Sequence, residues 1–127
     1  MQKILEKPYA TIYMDVHKKR LYQAWFGYLT VDQFKAAIDI SVDCFKEHDL
    51  TTILSDTTHQ AVLAKEGSDY AASVVPVLME NGMKKVAFIL PKSIFTKLAV
   101  QNFTEQSQSG VSGSFTSLEE AERWLDK

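Results

Sequence analysis

The densest set of side chains able to do chemistry is Asp56-Thr57-Thr58-His59, a carboxylate, two hydroxyls and an imidazole in consecutive positions. These are the parts of a nucleophilic hydrolase, in which an imidazole takes a hydroxyl proton and a carboxylate orients the ring. A hydrolase-type enzyme using Asp56 and His59 is therefore one reading. The spacing argues against it, because residues adjacent in sequence rarely assemble a working triad. The chain also lacks a Gly-x-Ser-x-Gly elbow and a Gly-rich oxyanion loop near these residues. Thr57 and Thr58 read otherwise as turn residues at the exit of a strand, where short hydroxyl side chains bond to local backbone.

Other chemistry has less support, and the reading expects no catalytic residue, no metal and no cofactor. His17, His48 and His59 are scattered without metal-ligand spacing, and no cysteine pair assists them. Cys44 lies at the margin of an apolar helical stripe, as a small core-edge side chain does, with no activating base nearby. Neither Gly-x-Gly-x-x-Gly nor a P-loop occurs, so neither of these phosphate-binding routes is present. The net charge is -2 at pH 7, whereas proteins that live by phosphate contacts carry excess Lys and Arg; no nucleic-acid partner is expected. The basic cluster Lys18-Lys19-Arg20 reads as a solvated hairpin tip.

The elements that must position these residues can be read from periodicity. At 127 residues the chain suits a single domain, and 46% hydrophobic with 24% charged residues is a globular balance. Residues 10–16 alternate Ala10, Ile12, Met14 and Val16 against Thr11, Tyr13 and Asp15; residues 21–26 are aromatic-rich and follow a short polar loop. Together they predict an antiparallel hairpin ended by Gly27. Thr30 with Gln33 is a capping-box pair opening a helix whose stripe is Val31, Phe34, Ile38, Val42 and Phe45, running to about His48. Residues 51–56 read as a buried strand. A second helix is expected from near Ser68, kinked or broken at Pro76 and stopped by Asn81-Gly82. Residues 85–90 read as a central parallel strand ended by Pro91. Ser93 then caps a third helix bearing Phe95, Leu98, Ala99 and Phe103. The stretch 107–113 looks flexible, a short strand follows around Ser114–Thr116, and Ser117 with Glu120 caps a last helix.

The expected fold is α/β, with a mixed five-stranded sheet and four helices in the order β-β-α-β-α-β-α-β-α. Pairing is expected to be parallel from the second strand onward, with the antiparallel first strand at the edge. No run approaches the ~20 apolar residues of a membrane span, so no stable membrane insertion is expected. A single cysteine and an N-terminus without signal-peptide character suit the cytoplasm.

This order, with Trp25-Phe26-Gly27-Tyr28 leading into Thr30, a strand ending in Asp56, the run Gly82–Leu90 and the closing Phe115-to-Leu125 segment, resembles the STAS-like (SpoIIAA-like) bacterial domains. Those domains share a fold with the CRAL-TRIO lipid-binding domains. The resemblance spans about residue 10 to the C-terminus. It implies sequentially neighbouring strands and a regulatory or ligand-binding role rather than turnover. It also places Thr58 at the position of the family's phospho-acceptor, with Asp56 two residues before it. This chain departs from that pattern, having Thr for Ser and His59-Gln60 where a Gly usually follows.

Two places then carry the expectations for binding. Ligands of open α/β sheets sit beyond the carboxyl ends of parallel strands, which here collects Asp56, Thr57, Thr58 and His59 with Pro91, Lys92 and Ser93. Tyr22, Trp25 and Phe26 point to opposite faces of one strand, so at least one lies off the helix-covered face, either packed or open as an apolar surface. The leading expectation is a non-enzymatic cytoplasmic regulatory or binding module acting through a protein partner or a homodimer. A carrier or sensor of a small lipid or apolar metabolite is the alternative.

Overall fold

The computed structural model describes residues 1–61, 63–90 and 110–127. Strands β1 (Gln2–Lys7), β2 (Ala10–Asp15), β3 (Arg20–Gly27), β4 (Thr52–Gln60), β5 (Lys85–Ile89) and β6 (Ser112–Phe115) alternate with helices α1 (Val31–Glu47), α2 (Lys65–Glu80) and α3 (Leu118–Leu125). The strands lie in one six-stranded sheet in sequence order. β1, β2 and β3 pair antiparallel, and β3 to β6 pair parallel. The α/β class and the mixed sheet are as the sequence suggests. The counts differ: there are six strands rather than five, and three helices among the described residues. Pro91, Lys92, Ser93 and the helix expected after them lie outside the described residues.

The additional strand is β1. It takes the sheet edge, so β2 is an inner strand with neighbours on both sides. Its sequence hides it because an irregularity between Lys3 and Leu5 breaks the two-residue period. Ile4 and Leu5 therefore both reach the core despite being consecutive. Pro8-Tyr9 forms the connection, with proline's fixed φ suiting a tight turn.

α1 starts where its local chemistry says it should. Thr30 Oγ1 accepts from the Gln33 backbone N–H at 3.0 Å, and Gln33 Oε1 accepts from the Thr30 N–H at 2.9 Å. α2 begins at Lys65, earlier than Ser68, whose hydroxyl donates to the Lys65 carbonyl instead of capping. Pro76 does not break it. The proline is exposed, and the buried neighbours Val75 and Leu78 hold the turn against the sheet. Gly82, at φ 109, stops the segment; a Cβ there would stand 2.9 Å from the Leu50 carbonyl oxygen.

The core has two layers. α1 and α2 share one face of the sheet, packing Phe34, Ile38, Phe45, Val75 and Leu78 onto Ile12, Leu21, Trp25, Ile53 and Val86. A strand order that advances in one direction puts crossovers of the same hand on the same face. α3 packs on the opposite face, where Ala121 and Leu125 meet Leu54, Ala87 and Ile89. Ser117 caps α3 by accepting from the Glu120 N–H, while the Glu120 carboxylate accepts from the Ser117 and Thr116 hydroxyls rather than from the cap backbone. β6 begins at Ser112, so the end of the segment expected to be flexible is strand. Among the described residues, no helix is long and apolar enough to cross a membrane.

Candidate functional site

β4 does not end at Asp56 but continues to Gln60. Asp56, Thr57, Thr58 and His59 are therefore strand residues, not exit-turn residues. Thr57 and Thr58 are β-branched and suit extended backbone, and an extra β4 residue is absorbed where the register passes from Ala24↔Asp56 to Phe26↔His59. Asp56 Oδ1 accepts from the Thr58 N–H at 2.9 Å across this irregularity. The N-terminus of α2 is at Lys65, several residues beyond Thr58.

The strand period then sorts the candidate residues onto two faces. Trp25 and Thr57 turn inward beneath α1 and α2, while Tyr22, Phe26, Asp56 and His59 face the other way. The four-residue cluster read along the sequence is thus divided by the sheet, and its hydroxyl at Thr57 cannot serve the His59 ring. Thr57 Oγ1 donates to the Ile89 carbonyl at 2.6 Å.

The inward side encloses a void of about 60 Å³ between the sheet and the two helices. Among its polar side chains, Gln23, Trp25, Ser41 and Thr57 bond to other side chains or to backbone. Gln23 Nε2 donates to Ser41 Oγ at 2.8 Å, Ser41 Oγ to the Ala37 carbonyl at 3.2 Å, and Trp25 Nε1 to Ser55 Oγ at 2.9 Å. The rest of the wall is apolar, including Phe34, Ile38, Val75 and Phe88.

Among the described residues, the outward side is covered by α3 over β4, β5 and β6 and over the start of β3, where Arg20 and Tyr22 bond to Glu122. Toward β1 and β2, among the described residues, no helix lies on it, and Thr11, Tyr13 and Ala24 stay partly exposed. At the end of β3 the Phe26 and His59 rings lie nearly parallel, 6.1 Å between centroids. Phe26 is 37% exposed and Tyr28, just past the strand, 82%. Asp56, half-buried beside Ala24, has no cationic partner among the described residues; its one bond is to the Thr58 N–H.

Arg20 is the residue the sequence reading missed. Lys18 and Lys19 do stand on a solvated hairpin tip, where the Asp15 carboxylate accepts from the His17 and Lys18 N–H groups. Those backbone bonds hold the Asp15 carboxyl below its usual value. Arg20, next in sequence, is only 2% exposed. Its Nε donates to Thr52 Oγ1 at 3.0 Å, its Nη1 to Glu122 at 3.3 Å and its Nη2 to Asp126 at 2.7 Å. Glu122 also accepts from the Tyr22 hydroxyl. The sequence signal was the i, i+4 spacing of Glu122 on α3 and Asp126 at its C-cap.

Burial, and then the bond to Glu122, push Tyr22 up to about 12. A tyrosine whose pKa is raised by folding stabilises the fold fully below the unfolded value of about 10 and loses that contribution as pH climbs to the folded value. Stability should therefore fall between about pH 10 and pH 12. Tyr22→Phe should remove part of that loss, as read from Tm against pH with wild type alongside.

Cys44 is buried; burial pushes its thiol up, and the Glu47 and Asp43 carboxylates act in the same direction. His17, His48 and His59 are all exposed. Among the described residues, no three His, Cys, Asp or Glu side chains gather as a metal ion would need. No protein-family model matches the chain, and none of the curated proteins compared with it does.

Proposed function

We propose that this chain is a non-enzymatic binding module that acts through protein contact, with the open sheet face around Phe26, Asp56 and His59 as the contact surface. The observation that carries the reading is an exposed aromatic group, Phe26 stacked on His59 with Tyr28 beside it, next to a half-buried carboxylate that lacks a cation among the described residues. Aromatic side chains at such positions are the usual anchors of an interface, and a polar rim sets the orientation. The complementary partner offers an apolar side chain to the ring pair and a basic side chain to Asp56. The sequential strand order supports a STAS-like (SpoIIAA-like) regulatory role. A single buried cysteine, which forms no disulfide within the chain, suits the cytoplasm.

The test compares wild type with Phe26→Asp and Asp56→Asn, which keeps an acceptor for the Thr58 N–H. Affinity purification from the native host is run on all three, with light scattering of the pure chain over a concentration series. A partner held by wild type and weakened at least about tenfold by either substitution, at unchanged Tm, supports the surface. Self-association lost in the variants identifies a second copy as the partner. Equal recovery by all three chains, or a monomer that retains nothing, overturns it.

A further inference from the structure

The void beneath α1 and α2 has no part in the contact surface proposed above, because the sheet separates them. Its chemistry is specific. None of its lining side chains, from Gln23 and Trp25 on β3 to Val86 and Phe88 on β5, is charged. An ion would lose its hydration there without a counter-charge, so the site selects neutral molecules. The wall is apolar except for hydroxyls, amides and the Trp25 indole N–H, and Gln23, Trp25, Ser41 and Thr57 each donate a hydrogen bond within the fold. Ser55 Oγ accepts from the Trp25 indole and retains its own hydroxyl proton for a further acceptor.

Size narrows the class further. A dry cavity of roughly 150 Å³ holds the six carbons of a benzene molecule, so the 60 Å³ found here encloses about two or three non-hydrogen atoms. That is far short of an acyl chain. Most of the wall is buried, but Leu63, Ala71 and Val74 keep part of their surface. These three, from the segment before α2 and from α2 itself, are where a molecule enters and where the remainder of a longer one protrudes.

We infer that the void between the sheet and helices α1 and α2 is a binding site for a small neutral molecule, an alcohol or ketone with a short aliphatic body. Its oxygen meets Ser55, and its chain is enclosed by Trp25, Ile38, Val75 and Phe88. So few enclosed atoms limit the affinity: at the ceiling of about 1.5 kcal/mol per non-hydrogen atom, three atoms give about 4.5 kcal/mol, a Kd of about half a millimolar at best.

The test is a titration of the full isotope-labelled chain with straight-chain alcohols from ethanol to hexanol, followed by amide chemical shifts. Wild type should show saturable shifts confined to residues around Gln23, Ser41, Ser55 and Ala71, tightening only to about propanol, the optimum beyond which added carbons bring no gain. Ala71→Leu fills the void and should abolish saturation. Val75→Ala enlarges it and should move the optimum to a longer alcohol, a readout that stands even if the filled variant does not fold. Phe26→Asp should leave the titration unchanged, so this site and the contact surface succeed or fail separately. Linear shifts spread over the whole chain, or an optimum that Val75→Ala does not move, overturn the inference.

Discussion

Trp25→Ala is expected to lower folding stability by about 3–5 kcal/mol, the range for deleting a fully buried aromatic side chain. Trp25 is 2% exposed, its ring sits 4.9 Å from Phe34 between centroids, and its indole N–H is bonded to Ser55 Oγ at 2.9 Å. The substitution removes ring packing and a buried hydrogen bond together, and it enlarges a void that already borders the ring. Little can collapse into the space, because β3 holds the backbone between two paired neighbours. Trp25→Phe separates the terms. It keeps most of the ring contact but loses the bond to Ser55, so about 1–2 kcal/mol is expected. Urea unfolding should show the midpoint falling in that order at unchanged slope. Equal stability of Trp25→Ala and wild type would place the ring outside the core.

Arg20→Met is the second large effect, expected at about 2–4 kcal/mol. Breaking a buried ion pair from one side typically costs about 3–5 kcal/mol, because the partner is left uncompensated. Here Glu122 and Asp126 are 27% and 55% exposed, so water recovers part of what they lose and the expected cost is lower. Arg20→Lys should recover less than half, since an ammonium cannot reach Thr52, Glu122 and Asp126 at once as the guanidinium fork does. The loss should be local as well as global. α3 is held by this network and by a small apolar footprint, with Lys85 Nζ 4.8 Å above the Trp124 ring. Red-shifted Trp124 emission should therefore precede global unfolding, in a Trp25→Phe background that leaves Trp124 as the reporter. Arg20 also holds the Asp126 carboxyl below its usual value. A carboxyl lowered by folding contributes above its unfolded pKa of about 3.9 and loses that contribution as pH falls through the folded value. α3 should thus loosen below about pH 4, and Arg20→Met should flatten that acid limb.

Legibility followed the range of the interactions. α1 could be read to the residue because Thr30 and Gln33 satisfy each other within one turn. The β2–β3 hairpin and β5 could be read because their side-chain patterns are regular. β1 could not, since its irregularity at Lys3 and Leu5 destroys the pattern that would announce it. The true end of β4 was hidden because Thr and His serve equally in turns and strands, and only pairing with Phe26 and Gly27 chooses between them. A kink or a break was read at Pro76 because a helix-interior proline costs a bond locally, and with Val75 and Leu78 packed on the sheet the helix runs on without a break.

The candidate site divides in the same way. By itself the sequence determined that Tyr22 and Phe26 face opposite Trp25, because the strand period allows nothing else. It determined the Thr30 and Ser117 caps of α1 and α3 and the absence of the usual nucleotide and nucleophile motifs. Which face is covered was decided by the tertiary structure, since that depends on where α1, α2 and α3 come to rest. So was the fate of Arg20, whose partners Glu122 and Asp126 come more than a hundred residues later. A charge can be buried only where counter-charges are waiting, and no local pattern records a meeting made across that distance.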